Sequence, residues 1–137
     1  MSTTIKLISE EEASPEVKAV YEDAKRHFNI DVVPSAIKAM AHNPQVLKEQ
    51  WEAMKQTEAA WGKETFYLLS LAVDVANGCD YCINFDSAML KQLGWDDAKI
   101  EGLVSFVAMA GMWNTYVTGL QLEPDVTPAT VGRRMAA

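Results

Sequence analysis

Cysteine and histidine are scarce in this chain, two of each among 137 residues. The histidines, His27 and His42, stand far from Cys79 and Cys82 and without ligand spacing, so the two further ligands of a structural zinc site are missing. Ile83 occupies the position where C-x-x-C-H requires histidine, which excludes covalent haem attachment. No metal and no cofactor is expected. Positive charge is also in short supply, with 12 Lys and Arg against 19 Asp and Glu, a net charge of -7 and a pI near 4.7. That balance argues against a nucleic-acid partner or an anionic membrane surface, both of which select basic faces. No window approaches the roughly 18 apolar residues of a membrane span. The first residues lack the basic and then apolar order of a secretion signal, so a cytoplasmic location is expected. Internal repeats, low-complexity stretches and sustained strand-type alternation are absent as well.

What remains is a chain rich in helical periodicity, with 49% hydrophobic residues to fill a core. The expectation is an all-α single-domain bundle of about six helices spanning residues 1–137, with its core at about 14–120 and an irregular tail at 121–137. Ser14-Pro15 supplies an N-cap and a proline at the first helical position. Val17, Val20, Tyr21, Ala24 and Phe28 then follow at the spacing of one buried stripe. A short helix over 35–41 turns Ile37 and Met40 inward. A longer one from Pro44 to about Ala60 carries Leu47, Trp51 and Met54 on one side. His27 and His42, each near a helix end, are read as satisfying the last carbonyls.

The segment 63–76 differs in kind because apolar residues run almost all round it, as on a helix packed between neighbours. Asn77-Gly78 ends it, and a helix beginning at Cys79 runs to about Leu93. Asp96 or Asp97 opens the last long helix, on which Gly102, Ala108 and Gly111 allow close approach. Pro124, Pro128 and Gly132 are read as breaking up the tail. One small subunit offers few neighbours for so much apolar helix, so a homo-oligomer is expected.

The chemistry concentrates at Cys79-x-x-Cys82, a spacing that lets two sulfurs form and break a disulfide. At a helix start, unpaired N–H groups and a partial positive charge stabilise a thiolate. In a reducing compartment such a pair is redox-active or metal-binding more often than a structural staple. Two small buried hydrophobes are the alternative reading.

Val33-Pro34, then Ala39-Met-Ala-His-Asn-Pro-Gln-Val-Leu47, then an apolar helix ending Ala76-Asn-Gly-Cys-Asp-Tyr-Cys82, resembles the carboxymuconolactone decarboxylase-like family and its AhpD-type alkyl hydroperoxidases over roughly residues 14 to 110. The resemblance implies an all-helical subunit assembled as a trimer or hexamer. It also implies a thiol-dependent site acting on a peroxide or disulfide substrate, with a thiol reductant, as yet unidentified, returning electrons. The family places a glutamate twelve positions before the first cysteine and a histidine four after the second. Here those positions hold Tyr67 and Asp86, while Glu64 falls three positions too early.

Asp86 shares the inward face of its helix with Cys82, since Cys82, Asp86, Met89 and Leu93 recur at i, i+4, i+7 and i+11. Apolar neighbours and a nearby thiolate would both raise its pKa, making it a proton donor or acceptor for sulfur. Tyr67 is a candidate donor to a thiolate; the alternative is a core tyrosine with a satisfied hydroxyl. Ser70 and Asp74 are polar interruptions suited to intersubunit hydrogen bonds. The resemblance favours Cys82 as the attacking thiol and Cys79 as the resolving one, whereas helix-terminus electrostatics favour the earlier cysteine. The candidate catalytic set is therefore Cys79, Cys82, Asp86 and Tyr67. The leading expectation is a thiol-disulfide oxidoreductase or peroxide-reducing protein. A decarboxylase-like enzyme and a non-catalytic oligomeric scaffold are the alternatives.

Overall fold

The computed structural model describes residues 3–136, without the side chains of residues 134 and 135. Residues 1, 2 and 137, which the expected domain and tail include, lie outside the described residues. Seven helices follow one another among them, with no strand: α1 (Pro15–Phe28), α2 (Ser35–Met40), α3 (Pro44–Trp61), α4 (Lys63–Asn77), α5 (Asp80–Gln92), α6 (Asp97–Gly119) and α7 (Pro128–Ala136). Backbone contacts gather them into two compact units, 1–69 and 70–137, whose boundary falls inside α4.

The first unit is organised by α1 and α3. Ser14 caps α1 by accepting the Val17 N–H, Pro15 opens it, and Asn29 closes it in the left-handed region at φ 55°. Val17, Val20, Tyr21, Ala24 and Phe28 are all buried, the stripe that the spacing predicts. They share a core with Leu47 and Trp51 of α3, where the Phe28 and Trp51 rings meet edge to face at 5.3 Å. The segment before α1 is tied down by Tyr21, whose hydroxyl donates to the Ile8 carbonyl at 2.9 Å.

The histidines do something other than close their own helices. His42 Nε2 lies 2.6 Å from the Lys6 carbonyl oxygen, and His27 Nε2 lies 2.8 Å from the carboxylate of Glu58 on α3. Both partners are distant in sequence, so helix-end position alone could not reveal them.

In the second unit Leu71, Asp86, Met89 and Leu90 are the buried side chains. Asp96 caps α6 by accepting the Lys99 N–H at 2.9 Å. Four expectations are corrected here. The segment 63–76 is not enclosed on every side within the chain: Tyr67 and Leu71 are buried, but Leu69 and Val73 are exposed. No residue of α6 is buried, and nothing comes within 4 Å of where a Cβ would stand at Gly102 or Gly111. The tail is not irregular throughout, because Pro128 starts a helix instead of breaking one. Thr127 and Thr130 exchange backbone-to-side-chain hydrogen bonds across that first turn, with Thr127 N–H on Thr130 Oγ1 at 2.6 Å and Thr130 N–H on Thr127 Oγ1 at 3.3 Å. This reciprocal arrangement suits a proline at the first helical position. Met40, expected to face inward on α2, is exposed.

Candidate functional site: a dithiol at a helix start beside a carboxyl pair

The turn between α4 and α5 sets the geometry. Gly78 takes φ +70°, a conformation that costs glycine little, and donates its N–H to Val75 O at 3.3 Å. The Cys79 N–H reaches back to Asp74 O at 3.0 Å. These two bonds form a Schellman motif, which satisfies the last carbonyls of α4 and reverses the chain at a fixed angle. Cys79 is thereby delivered as the N-cap of α5, where its Sγ accepts the Cys82 N–H at 3.4 Å. Cys82 sits at the third helical position, and the two cysteines are joined as a disulfide with Cα atoms 5.3 Å apart. Both are half-buried, and Asp80 in the same first turn complements the helix dipole.

One turn further along α5, Asp86 is buried with 8% of its surface exposed. Residues at i and i+4 on a helix place their Cβ atoms ~5–6 Å apart, so Asp86 shares the face of α5 that carries Cys82. The Asp86 carboxyl is pushed up to about 8. Burial is the largest cause, followed by a hydrogen bond with the Asp74 carboxyl and then by the Asp74 charge. With the two cysteines joined as a disulfide, the neighbouring charge is that of a second carboxylate, Asp74. Asp74, set aside as a polar interruption, is the residue that sequence reading missed in this unit.

Tyr67 belongs to the first unit. It is almost fully buried and its hydroxyl donates to Glu58 Oε2 at 3.0 Å, the oxygen that His27 Nε2 also contacts. Glu58 is itself 7% exposed, so Tyr67 and Glu58 form a buried polar pair that the half-buried His27 joins from α1. A signal for Glu58 was present: it extends the Leu47, Trp51, Met54 stripe at i+11 and therefore falls on the inward side of α3. Among the described residues, no group of three or more His, Cys, Asp or Glu side chains is placed to hold a metal ion, and no helix is long and apolar enough to cross a membrane.

A family model, the carboxymuconolactone decarboxylase family, matches residues 45–122, which takes in α3 from its second residue, α4 to α6 and the whole dithiol turn. The chain belongs to this family. Among solved structures it is similar to the alkylhydroperoxidase AhpD core from Rhodospirillum rubrum, at 28% identity with a TM-score of 0.79, over 90% of this chain and 94% of that one. No curated protein sequence matches the chain. The carboxymuconolactone decarboxylase family is thus joined here to an AhpD-like all-helical fold, and the dithiol lies inside the matched region.

Proposed function

We propose that the protein is a thiol-disulfide oxidoreductase that cycles Cys79 and Cys82 between dithiol and disulfide, with a peroxide as oxidant. The observation that carries this reading is the disulfide at the N-terminus of α5, where helix N–H groups favour a thiolate once the bond opens. One thiolate attacks the peroxide oxygen, giving a sulfenic acid and releasing an alcohol or water. The second thiol condenses with the sulfenic acid to restore the disulfide and release water. A thiol reductant closes the cycle, and the cytoplasm is a compartment that supplies one. Asp86, buried one turn from Cys82, is the proton donor and acceptor of the cycle.

The likeness to an alkylhydroperoxidase core supports the peroxide as substrate. A decarboxylase-like reaction on a lactone acid is the second reading, favoured by a carboxyl group that stays protonated near neutral pH and so can serve as general acid. In either case the working form is a homo-oligomer, because α6 leaves Phe106, Met109, Met112, Trp113 and Tyr116 exposed within one chain.

The deciding experiment reduces the purified protein, adds hydrogen peroxide or an alkyl hydroperoxide, and follows peroxide loss and free thiols together. Stoichiometric loss of two thiols per peroxide, abolished by Cys79→Ser or Cys82→Ser, is the expected result. Peroxide left unconsumed by the fully reduced protein removes the peroxidase reading.

A further inference from the structure

Asp74 has unusual surroundings for a residue that no thiol step uses directly. Its Oδ2 is buried with no hydrogen-bond partner, its carboxyl bonds that of Asp86, and its main-chain carbonyl accepts from the N–H of Cys79. Two ionised carboxylates have only acceptors to offer each other, so a hydrogen bond between them requires one proton in the pair. A partnerless buried carboxylate oxygen is costly to stability. The same residue therefore fixes the backbone of one cysteine and the protonation of the carboxyl that shares a helix face with the other.

We propose that Asp74 is a positioning residue for the thiol cycle: by sharing a single proton with Asp86, it keeps that proton beside the Cys79–Cys82 pair for the sulfur that departs when the disulfide opens. This rests on the thiol-disulfide reading above. In the reductive half-reaction a reductant thiol ionises to solvent and its thiolate attacks one cysteine sulfur. The bond between the two cysteine sulfurs breaks, its electron pair stays on the departing sulfur, and the Asp86 O–H proton moves to that sulfur. The carboxyl pair then regains a proton from solvent. A second reductant thiolate attacks the mixed disulfide at the reductant's sulfur, the remaining cysteine leaves as thiolate, and it takes up a proton. Two reductant thiols are oxidised to a disulfide, and the protein disulfide is reduced by two electrons.

The surroundings leave Asp74 as the charged group acting on Asp86. Burial and Asp74 account for the raised carboxyl, while Asp80, Tyr81 and Lys91 of α5 and Asp97, Lys99 and Glu101 of α6 are exposed. Lys91 is engaged with Asp97 at 3.0 Å.

The test is stopped-flow reduction of the disulfide by dithiothreitol from pH about 6 to about 10 in the full-length wild type, Asp74→Asn, Asp86→Asn and the double variant. Each rate is divided by the wild-type rate at the same pH, so that ionisation of the reagent cancels. Asp74→Asn is expected to be about tenfold slower near neutral pH, within the usual range for a general acid, and to converge on wild type above the pH at which the pair has lost its proton. The double variant should be no slower than Asp86→Asn alone. A ratio that is the same at every pH marks a purely structural residue and overturns the proposal. Infrared spectroscopy of the wild type decides without any variant: a protonated-carboxyl C=O band must be present near pH 7 and vanish as the pH rises past about 8. Its absence near pH 7 also overturns the proposal. A wild-type dithiol that forms no disulfide under oxidation removes the thiol-disulfide reading and this inference with it. A wild type that cycles with a flat variant ratio removes the inference alone.

Discussion

Tyr67 donates its hydroxyl to Glu58 at 3.0 Å from the helix position where the family resemblance implies a glutamate. A carboxylate is thus present beside that position, but it is supplied by α3 and already bears Tyr67 and His27. Buried acceptors serving two donors are expensive to remove, because both donors lose their partner together. Glu58→Ala is expected to lower stability by about 2–3 kcal/mol in urea unfolding, and Glu58→Gln, which keeps one acceptor oxygen, by about 1 kcal/mol. Equal costs for the two substitutions would show that the carbonyl oxygen of glutamine does not replace the carboxylate.

How far this cluster could be foreseen shows where sequence reading stops. The apolar stripe of α1 was fully legible, since periodicity and the Ser14-Pro15 start agree with each other and with burial. The stripe of α3 was legible to Met54 and then hidden by the letter Glu at position 58, because charged residues are assigned to the surface unless a partner is known. His27 is that partner, and it comes from another helix, 31 residues away. The dithiol turn was legible because Asn77-Gly78-Cys79 carries local backbone chemistry. Asp74 was not, as its importance depends on a bond from Cys79 that exists only once the turn has closed. At Pro128 two local rules competed. Proline breaks a helix from within but starts one at its first position, and here the second effect wins with the help of Thr127 and Thr130.

Asp86 makes the folded state sensitive to alkali. Its folded pKa, about 8, lies above the ordinary value of 3.8, so between those values the folded protein holds a proton that the unfolded chain has released. Stability then falls as pH rises through that window and levels off above it. Asp86→Asn removes this slope. At pH about 9 the variant should be more stable than wild type by about 1–3 kcal/mol in denaturant titrations, the advantage shrinking towards acid pH. A parallel pair of pH curves would rule this out.

Asp23 acts in the opposite sense and at the other end of the scale. Lys55 at 2.7 Å, with the Trp51 indole N–H at 2.7 Å, holds its carboxyl down to about 2. The stability it contributes is present above the ordinary carboxylate pKa near 3.8 and is lost as pH falls towards about 2. The group is partly solvent-screened, so Asp23→Asn should cost only about 1 kcal/mol at neutral pH and only a small fraction of that at pH about 2. Thermal melts at the two pH values check both halves.

The apolar surface of α6 predicts its own fate in an assembly. Trp113 is 55% exposed within one chain, and a large aromatic at the centre of an interface contributes about 2 kcal/mol or more to association. Trp113→Glu should therefore raise the dissociation constant about 30-fold or more, seen by light scattering as a loss of mass on dilution. Wild-type protein that scatters as a single chain at micromolar concentration would falsify the homo-oligomer.

Gly78 separates backbone strain from crowding. Its φ of +70° lies in the left-handed region, yet nothing stands within 4 Å of the place a Cβ would occupy. Any cost of substitution is then conformational: about 1 kcal/mol for Gly78→Ala, less for Asn, whose side chain tolerates this region, and more for the β-branched Gly78→Val. The turn also delivers Cys79 to its cap position, so the strained variants should change the reduction potential of the disulfide in the same rank order. The wild-type value is expected between about -180 and about -300 mV, the span of working catalytic dithiols, by thiol trapping against graded glutathione. If Val and Ala were to shift stability but leave the potential where wild type has it, the disulfide would be held by α5 alone, and the Asp74 carbonyl would be only a helix cap.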